Sequence, residues 1–264
     1  MDRSEMMNLL YSKKEKNEDS RLTRSRHGQL EYLTTMNYIH KFVPPESKVL
    51  EVGAGTGRYS AALAMEGYDV TAVELVKSNL EILRRNVAGL ENITSYQGDA
   101  EDLSLFADNS FDAVLVLGPM YHLFEKAEQH RALDEAIRVS KPDGIIMVAF
   151  LSVYSIMYNN YLLGNFREGI EENFDADLQV RHFKEQWFTG FDIKEFEELF
   201  SEKSVQKIAL AGTDSVLELA EKAHVMDLSD EDFRLFSEYH LKVCEKRELL
   251  GTQTHLLYIC RKIG

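Results

Sequence analysis

The sequence predicts an α/β fold built on an open, doubly wound, mostly parallel sheet. Three observations carry that expectation. Between residues 48 and 151, short apolar runs alternate with helical patterns, as strands do when they return through crossover helices. The first run, 49–52, enters a turn with glycine at every second position, Gly53, Gly55 and Gly57, and a helical pattern follows at once through Tyr59, Ala62, Leu63 and Met65. The helical stretch 125–140 then stops at Lys141-Pro142-Asp143-Gly144, a proline–glycine terminator.

The elements follow in order. The chain begins polar and charged, without the apolar segment of a secretory signal. Lys13, Lys14, Lys16, Arg21, Arg24 and Arg26 cluster there, interrupted by Glu15, Glu18 and Asp19, which reads as a solvated helix or loop. Residues 29–42 place Leu30, Leu33, Met36, Ile39 and then His40 or Val43 at helical spacing. Residues 1–46 are therefore expected to form a helical cap and 47–151 a ligand-binding core. Strands are expected at 48–52, 69–74, 93–97, 111–117 and 143–151, and helices at 58–66, 77–89 and 125–140. Beyond the core the simple alternation stops, and residues 152–190 are rich in aromatics. A helix at 192–200 and a strand at 205–211 resume the sheet pattern within a closing segment, 191–264. An acidic helical stretch fills about 213–248, and 255–261 is a final strand. The insertions 152–190 and 213–248 are candidate lids.

The glycine turn narrows the ligand. A residue without Cβ lets the backbone bend sharply and lie against a flat molecule, and nucleotide-like ligands bind at the strand ends of open α/β sheets. A dinucleotide fingerprint needs G-x-G-x-x-G, but Arg58 stands at its third glycine. A phosphate-cradling loop needs G-x-x-x-x-G-K-[S/T], but no lysine follows Gly57. Glu51, just before the turn, would repel a phosphate. The turn suits a nucleoside without phosphates, and preferably a cationic one.

Glu51-Val52-Gly53-Ala54-Gly55-Thr56-Gly57 resembles motif I, [D/E]-x-G-x-G-x-G, of the class I S-adenosylmethionine-dependent methyltransferases. Three more stretches match in register. Glu74-Leu75 ends the second strand, where a carboxylate can accept from both ribose hydroxyls. Asp99-Ala100 stands where the family places an acidic residue beside the adenine amino group. Residues 111–118 resemble the fourth strand, and Pro119-Met120-Tyr121-His122-Leu123 resembles a variant found in bacterial small-molecule methyltransferases. The resemblance spans roughly residues 49–150.

It implies a Rossmann-like sheet of seven strands, the last antiparallel, and S-adenosylmethionine as the methyl donor, leaving as S-adenosylhomocysteine. The implied cofactor contacts are Glu51, Gly53, Ala54, Gly55, Gly57, Glu74, Leu75, Asp99, Ala100 and Leu117, the last through its backbone carbonyl. Upstream, Arg26 and Tyr32 are candidates for the methionine carboxylate, which an arginine matches bidentately; a surface arginine and a core tyrosine are the alternative. Tyr121 and His122 are candidate catalytic residues, with His122 as general base, although a Tyr-His-Leu run also packs helix starts. Tyr154, Tyr158 and Trp187 are candidate walls of an acceptor pocket.

Composition bounds the class. At 264 residues, 44% of them hydrophobic, the chain can bury a sizeable core. A net charge of −14 argues against an extended nucleic-acid surface. Cys244 and Cys260 form neither a disulfide framework nor a metal pattern, and Cys260 reads as a small core residue. The longest apolar run is too short for a bilayer, so a soluble, cytoplasmic enzyme acting on a small-molecule methyl acceptor is expected. A non-catalytic S-adenosylmethionine-binding sensor or scaffold, and an RNA or protein methyltransferase, are the alternatives. A dinucleotide oxidoreductase is a third, which Arg58 disfavours.

Overall fold

The computed structural model describes residues 3–12, 19–162, 164–183 and 186–264. Lys13, Lys14, Glu15, Lys16 and Glu18 of the basic N-terminal cluster lie outside them. Seven strands form one sheet: β1 (Lys48–Val52), β2 (Asp69–Glu74), β3 (Ile93–Gln97), β4 (Phe111–Val116), β5 (Ser140–Leu151), β6 (Val205–Gly212) and β7 (His255–Lys262). Their spatial order is β3-β2-β1-β4-β5-β7-β6. Pairings from β3 to β5 are parallel, and β7 runs antiparallel to both β5 and β6. The order steps outward on both sides of β1 and β4, which leaves a crevice at their carboxyl ends where chain crossovers diverge.

Side-chain alternation splits the core into two layers. Leu50, Val52, Val114, Val116, Ile146, Val148 and Phe150 face one way; Val49, Ala113, Leu115, Ile145, Met147 and Ala149 face the other. Helix α5 (Lys126–Val139) covers the first face with Ala132, Leu133 and Ala136. Helices α2 (Arg26–Phe42) and α3 (Arg58–Met65) cover the second with Met36, Ile39, Tyr59 and Leu63. Burial on both faces explains why these strands read as continuous apolar runs. Cys260 is fully buried on the first face, and both cysteines are free thiols.

Most sequence-expected elements sit within a few residues of their expected bounds. Strand β5 starts three residues earlier than expected, because Ser140 pairs with Phe111 and the register then shifts before Ala113 meets Ile145. The Lys141–Gly144 terminator is thus absorbed as a bulge, with Asp143 at φ +61°. Two connections carry the extra helices. Residues 152–190 hold α6 (Val153–Ile156), a π-helical turn at Met157–Tyr161 and α7 (Phe166–Asn173), gathered around Val153, Met157 and Phe174. After α8 (Ile193–Glu198) and β6, residues 213–254 hold α9 (Leu217–Lys222), α10 (Asp230–Val243) and α11 (Arg247–Leu250). The second group packs on α2 through Leu30, Leu217 and Phe233. At the other end, α1 (Arg3–Ser12) lies against α4 (Lys77–Asn86), with Met7 and Leu10 beside Val76. Among the described residues, no helix is long and apolar enough to cross a membrane.

Candidate active site

A cavity of about 200 Å³ opens at the carboxyl ends of β2, β1 and β4 and extends to the start of β7. The glycine turn makes its floor. Gly53, Gly55 and Gly57 all have positive φ, at 75°, 56° and 85°, a region that suits glycine. The N–H groups of Gly53 and Ala54 both donate to the Val73 carbonyl, at 2.8 and 3.0 Å, tying the turn to β2. A Cβ on Gly53 would stand 2.6 Å from the Pro119 ring, and one on Gly57 2.7 Å from Leu83, whereas one on Gly55 would meet no protein atom within 4 Å. Gly55 therefore faces the space a ligand would fill.

Glu74 closes one wall. Its Oε2 accepts from the Gly55 N–H at 2.7 Å and its Oε1 from the Val76 N–H at 2.8 Å. These two bonds fix the carboxylate plane at the cavity, and Leu75, Gly98, Asp99 and Ala100 continue the same wall. Asp99 Oδ1 caps the following turn by accepting from the Glu101 N–H at 3.0 Å. Beyond the glycines lie Leu117, Gly118 and Tyr121, and the Tyr121 ring is almost completely buried.

Glu51 sits beneath the turn, 1% exposed, accepting from the Ser60 hydroxyl. Burial pushes its carboxyl up to about 7, with the Ser60 bond opposing and the Glu74 charge adding a little. A raised folded pKa means that the stabilisation is complete below the unfolded value of 4.5 and is lost as pH climbs through 7. Two and a half pH units correspond to a contribution on the order of 3 kcal/mol. Glu51→Gln keeps an acceptor for Ser60 without a charge. It is expected to raise Tm at pH 8 and leave it nearly unchanged at pH 5. A Tm difference that is the same at both pH values would show that the carboxyl is not held neutral.

His122 is held from both sides. Its Nδ1 lies 2.9 Å from the Trp187 carbonyl, which can only accept, so Nδ1 carries a proton. In the neutral ring, Nε2 then accepts from the Tyr11 hydroxyl at 3.0 Å. Tyr11 belongs to α1, so the N-terminal helix reaches over the cavity and closes on the residue that follows β4. Phe188 packs against the His122 ring with centroids 4.9 Å apart and lines the same space.

The far wall is ionic. Arg21 makes a bidentate pair with the buried Glu31, at 2.7 and 3.0 Å. Burial alone would raise the Glu31 carboxyl, but Arg21 and His255 together hold it below its usual value. His255 Nδ1 bonds to the fully buried Asp214 at 2.7 Å and lies 3.7 Å from Glu31. Burial would lower the His255 imidazole, but the two carboxylates outweigh it and lift it to about 9.

Eleven sequence-expected site residues line this cavity together: Glu51, Gly53, Ala54, Gly55, Glu74, Leu75, Asp99, Ala100, Leu117, Tyr121 and His122. Gly57 instead caps α3 with Leu83 against it. Five other candidates do not line the cavity. Arg26 is turned toward the second helical group, bonding Asp230 at 2.5 Å and lying over the Phe233 ring. Tyr32 stacks on Tyr59 beneath Arg58. Tyr154 and Tyr158 are exposed, the former donating to Asp192, and Trp187 serves His122 through its carbonyl while its side chain is largely exposed. Tyr11, Arg21, Phe188 and His255 occupy the cavity instead. Arg21 carried a visible signal, a cation just before the first core helix. Tyr11 and His255 carried none.

Comparison with known proteins bears on the domain that carries this cavity. A family profile described as a methyltransferase domain matches residues 49–144. A demethylmenaquinone methyltransferase of Clavibacter sepedonicus is 40% identical over 105 residues, which are 40% of this chain and 41% of that one. The chain thus matches less than half the length of that relative. The phosphoethanolamine N-methyltransferase 1 of Haemonchus contortus, solved with phosphoethanolamine and S-adenosylhomocysteine, superposes with a TM-score of 0.63 over 99% of this chain and 49% of its own, at 16% identity. The [4+2]-cyclase SpnF does so with a TM-score of 0.56 over 89% and 82%, at 19% identity. At such identities the two structures share the fold alone. Profile and relative thus mark residues 49–144 as a methyltransferase domain, set within a seven-stranded fold that the chain shares with the two solved structures.

Proposed function

We propose that the protein transfers a methyl group from S-adenosylmethionine to an O, N or S atom of a small molecule. The observation that carries this reading is the Glu74 carboxylate, locked by the Gly55 and Val76 N–H groups beside the space that Gly55 leaves by lacking a Cβ. The ribose hydroxyls would donate to that carboxylate, Asp99 would take the adenine amino group, and the Leu117 carbonyl would accept from the methionine ammonium. Bound S-adenosylmethionine supplies an already activated methyl group on a sulfonium, which an acceptor displaces in line. The chain's work is then alignment and exclusion of water. Helix α1 and Phe188 supply the cover, so the lid includes the N-terminus as well as part of 152–190.

Titration calorimetry with S-adenosylmethionine and NAD side by side tests the cofactor, and turnover against a panel of small-molecule O, N and S acceptors tests the reaction. The SpnF likeness keeps one alternative concrete, since this fold also serves a cyclase. Tight S-adenosylmethionine binding with no methyl transfer to any acceptor would favour a sensor, scaffold or other chemistry.

His122 and Tyr11 separate catalysis from packing. Tyr11→Phe removes only the hydroxyl on Nε2. If His122 takes a proton from the acceptor, kcat and its pH profile should change severalfold while Tm stays within a few degrees. His122→Ala should lower kcat by roughly 100-fold or more, the range of general-base effects. An unchanged kcat with a lowered Tm in either variant would assign the pair to packing.

A further inference from the structure

The strand order acts as a ruler across the cavity. Glu74 ends β2, Gly53 follows β1, Leu117 follows β4, Leu151 ends β5, and His255 begins β7 directly opposite Leu151. Glu74 and His255 are thus four strand spacings apart, roughly 19 Å at ~4.8 Å each. A cofactor with its ribose on Glu74 and its methionine at Gly53 and Leu117 spans the β2–β1–β4 part. The β5–β7 end is left to the methyl acceptor, a division that rests on the proposed methyl-transfer reading.

At that end His255 is unusually arranged. Its Nδ1 is committed to Asp214, which is fully buried and also accepts from the backbone N–H groups of Thr254 and His255. Glu31 adds a second carboxylate, 3.7 Å from Nδ1, and is itself shared with Arg21. Beyond them Glu218 bonds Thr254 and pairs with Lys222. The groups facing His255 are therefore Asp214 after β6, Glu31 on α2, Arg21 before α2, Glu218 on α9 and Tyr121 after β4. The imidazolium and the partly exposed Arg21 stand against the buried carboxylates Glu31 and Asp214; a neutral imidazole would take the cation away from Asp214. The side chain is 15% exposed and lines the cavity, so the nitrogen presented to a bound molecule is Nε2. Beside it the cavity has an aromatic and an apolar wall, with Tyr121 meeting the His255 ring edge-on at 5.9 Å and Leu151 opposite it on β5, while Arg21 lines the same space.

We propose that His255, oriented by Asp214 and Glu31, is a specificity residue that binds an anionic oxygen of the methyl acceptor through Nε2–H, so that the acceptor is a small aromatic acid or phenolate. An imidazolium N–H needs a strong acceptor, and a charged one makes the shorter, stronger bond. The apolar walls admit a ring behind that oxygen. A neutral acceptor would leave the cation desolvated with a weaker partner.

The test uses the full chain at pH 7.5, saturated with S-adenosylhomocysteine whose own affinity is measured first. Benzoate and 4-nitrophenolate are titrated against benzamide as the neutral control, following the histidine ring resonances by NMR. At least one of the two anions is expected to bind tenfold or more tighter than benzamide and to move the His255 resonances; which one does so distinguishes a carboxylate from a phenolate. His255→Gln keeps a donor without the charge and should abolish the preference while leaving S-adenosylhomocysteine affinity within about twofold. Equal binding of benzamide, or an anion preference that survives His255→Gln, overturns the proposal. So does a large loss of S-adenosylhomocysteine affinity in that variant, which would give His255 to the methionine carboxylate. If the variant does not fold, the wild-type comparison of anions with benzamide decides alone. Failure of S-adenosylhomocysteine to bind at all sinks the cofactor reading instead, and the anion comparison on the free protein still reads His255.

Discussion

Glu74→Ala is expected to weaken S-adenosylmethionine binding by roughly 100-fold to 1,000-fold while the fold survives. The carboxylate is buried, and both its oxygens already accept backbone N–H bonds that aim it at the cavity. Two ribose hydroxyls bonding to a charged acceptor contribute about 1.5–2 kcal/mol each, which sets that range of affinity loss. The cost to the apo protein is smaller. Truncation leaves the Gly55 and Val76 N–H groups without their acceptor, but Gly55 borders open space, where water can replace the lost oxygen. A Tm drop of a few degrees follows. Glu74→Gln, which keeps one acceptor oxygen and loses the charge, should fall between. Calorimetry showing unchanged affinity in the alanine variant would remove the ribose from this wall, and with it the orientation proposed for the whole cofactor.

The half of the site that was legible in the sequence is the half made by local backbone demands. Gly53 and Gly55 were readable because positive φ and close approach to a ligand leave few alternatives to glycine. Glu74 and Asp99 were readable because one ends and the other follows a short strand, and those strand ends must lie at the same sheet edge. The other half comes from long-range packing, which leaves no periodic trace. Tyr11 and His122 are 111 residues apart in sequence, and His255 joins Asp214 across 41. Arg26 was a candidate because an arginine matches a carboxylate bidentately, yet α2 starts at Arg26 and turns it toward α10. Arg21 lies in the turn before it, free of the helical pattern and directed at Glu31. The aromatic run 152–190 misled in the same way. Tyr154 and Tyr158 lie on the outside of a small cluster closed by Phe174, and only Phe188, at its far end, reaches the cavity. Aromatic content shows that a segment has something to bury; it does not show which ring faces which side.

Two glycines two residues apart should fail in opposite ways, and the contrast tests the floor of the site more sharply than either alone. Gly53→Ala forces a Cβ to 2.6 Å from Cδ and 2.9 Å from Cγ of Pro119 at φ +75°. The proline ring has no rotamer to retreat into, so the backbone must shift. Left-handed strain of roughly 1–2 kcal/mol adds to overpacking of roughly 1–3 kcal/mol. For a chain of this size that lowers Tm by roughly 5–15 °C. Because Pro119 opens the turn that carries Tyr121 and His122, affinity and activity should fall with it. Gly55→Ala meets no protein atom within 4 Å, so its cost to the fold is the backbone strain alone, roughly 1–2 kcal/mol. Its methyl group occupies cavity space, and S-adenosylmethionine affinity should drop tenfold or more. Thermal unfolding of the apo proteins and calorimetry of the same samples read the two effects separately. If Gly55→Ala loses stability like Gly53→Ala but binds as wild type, the turn faces protein rather than ligand, and the floor of the cavity lies elsewhere.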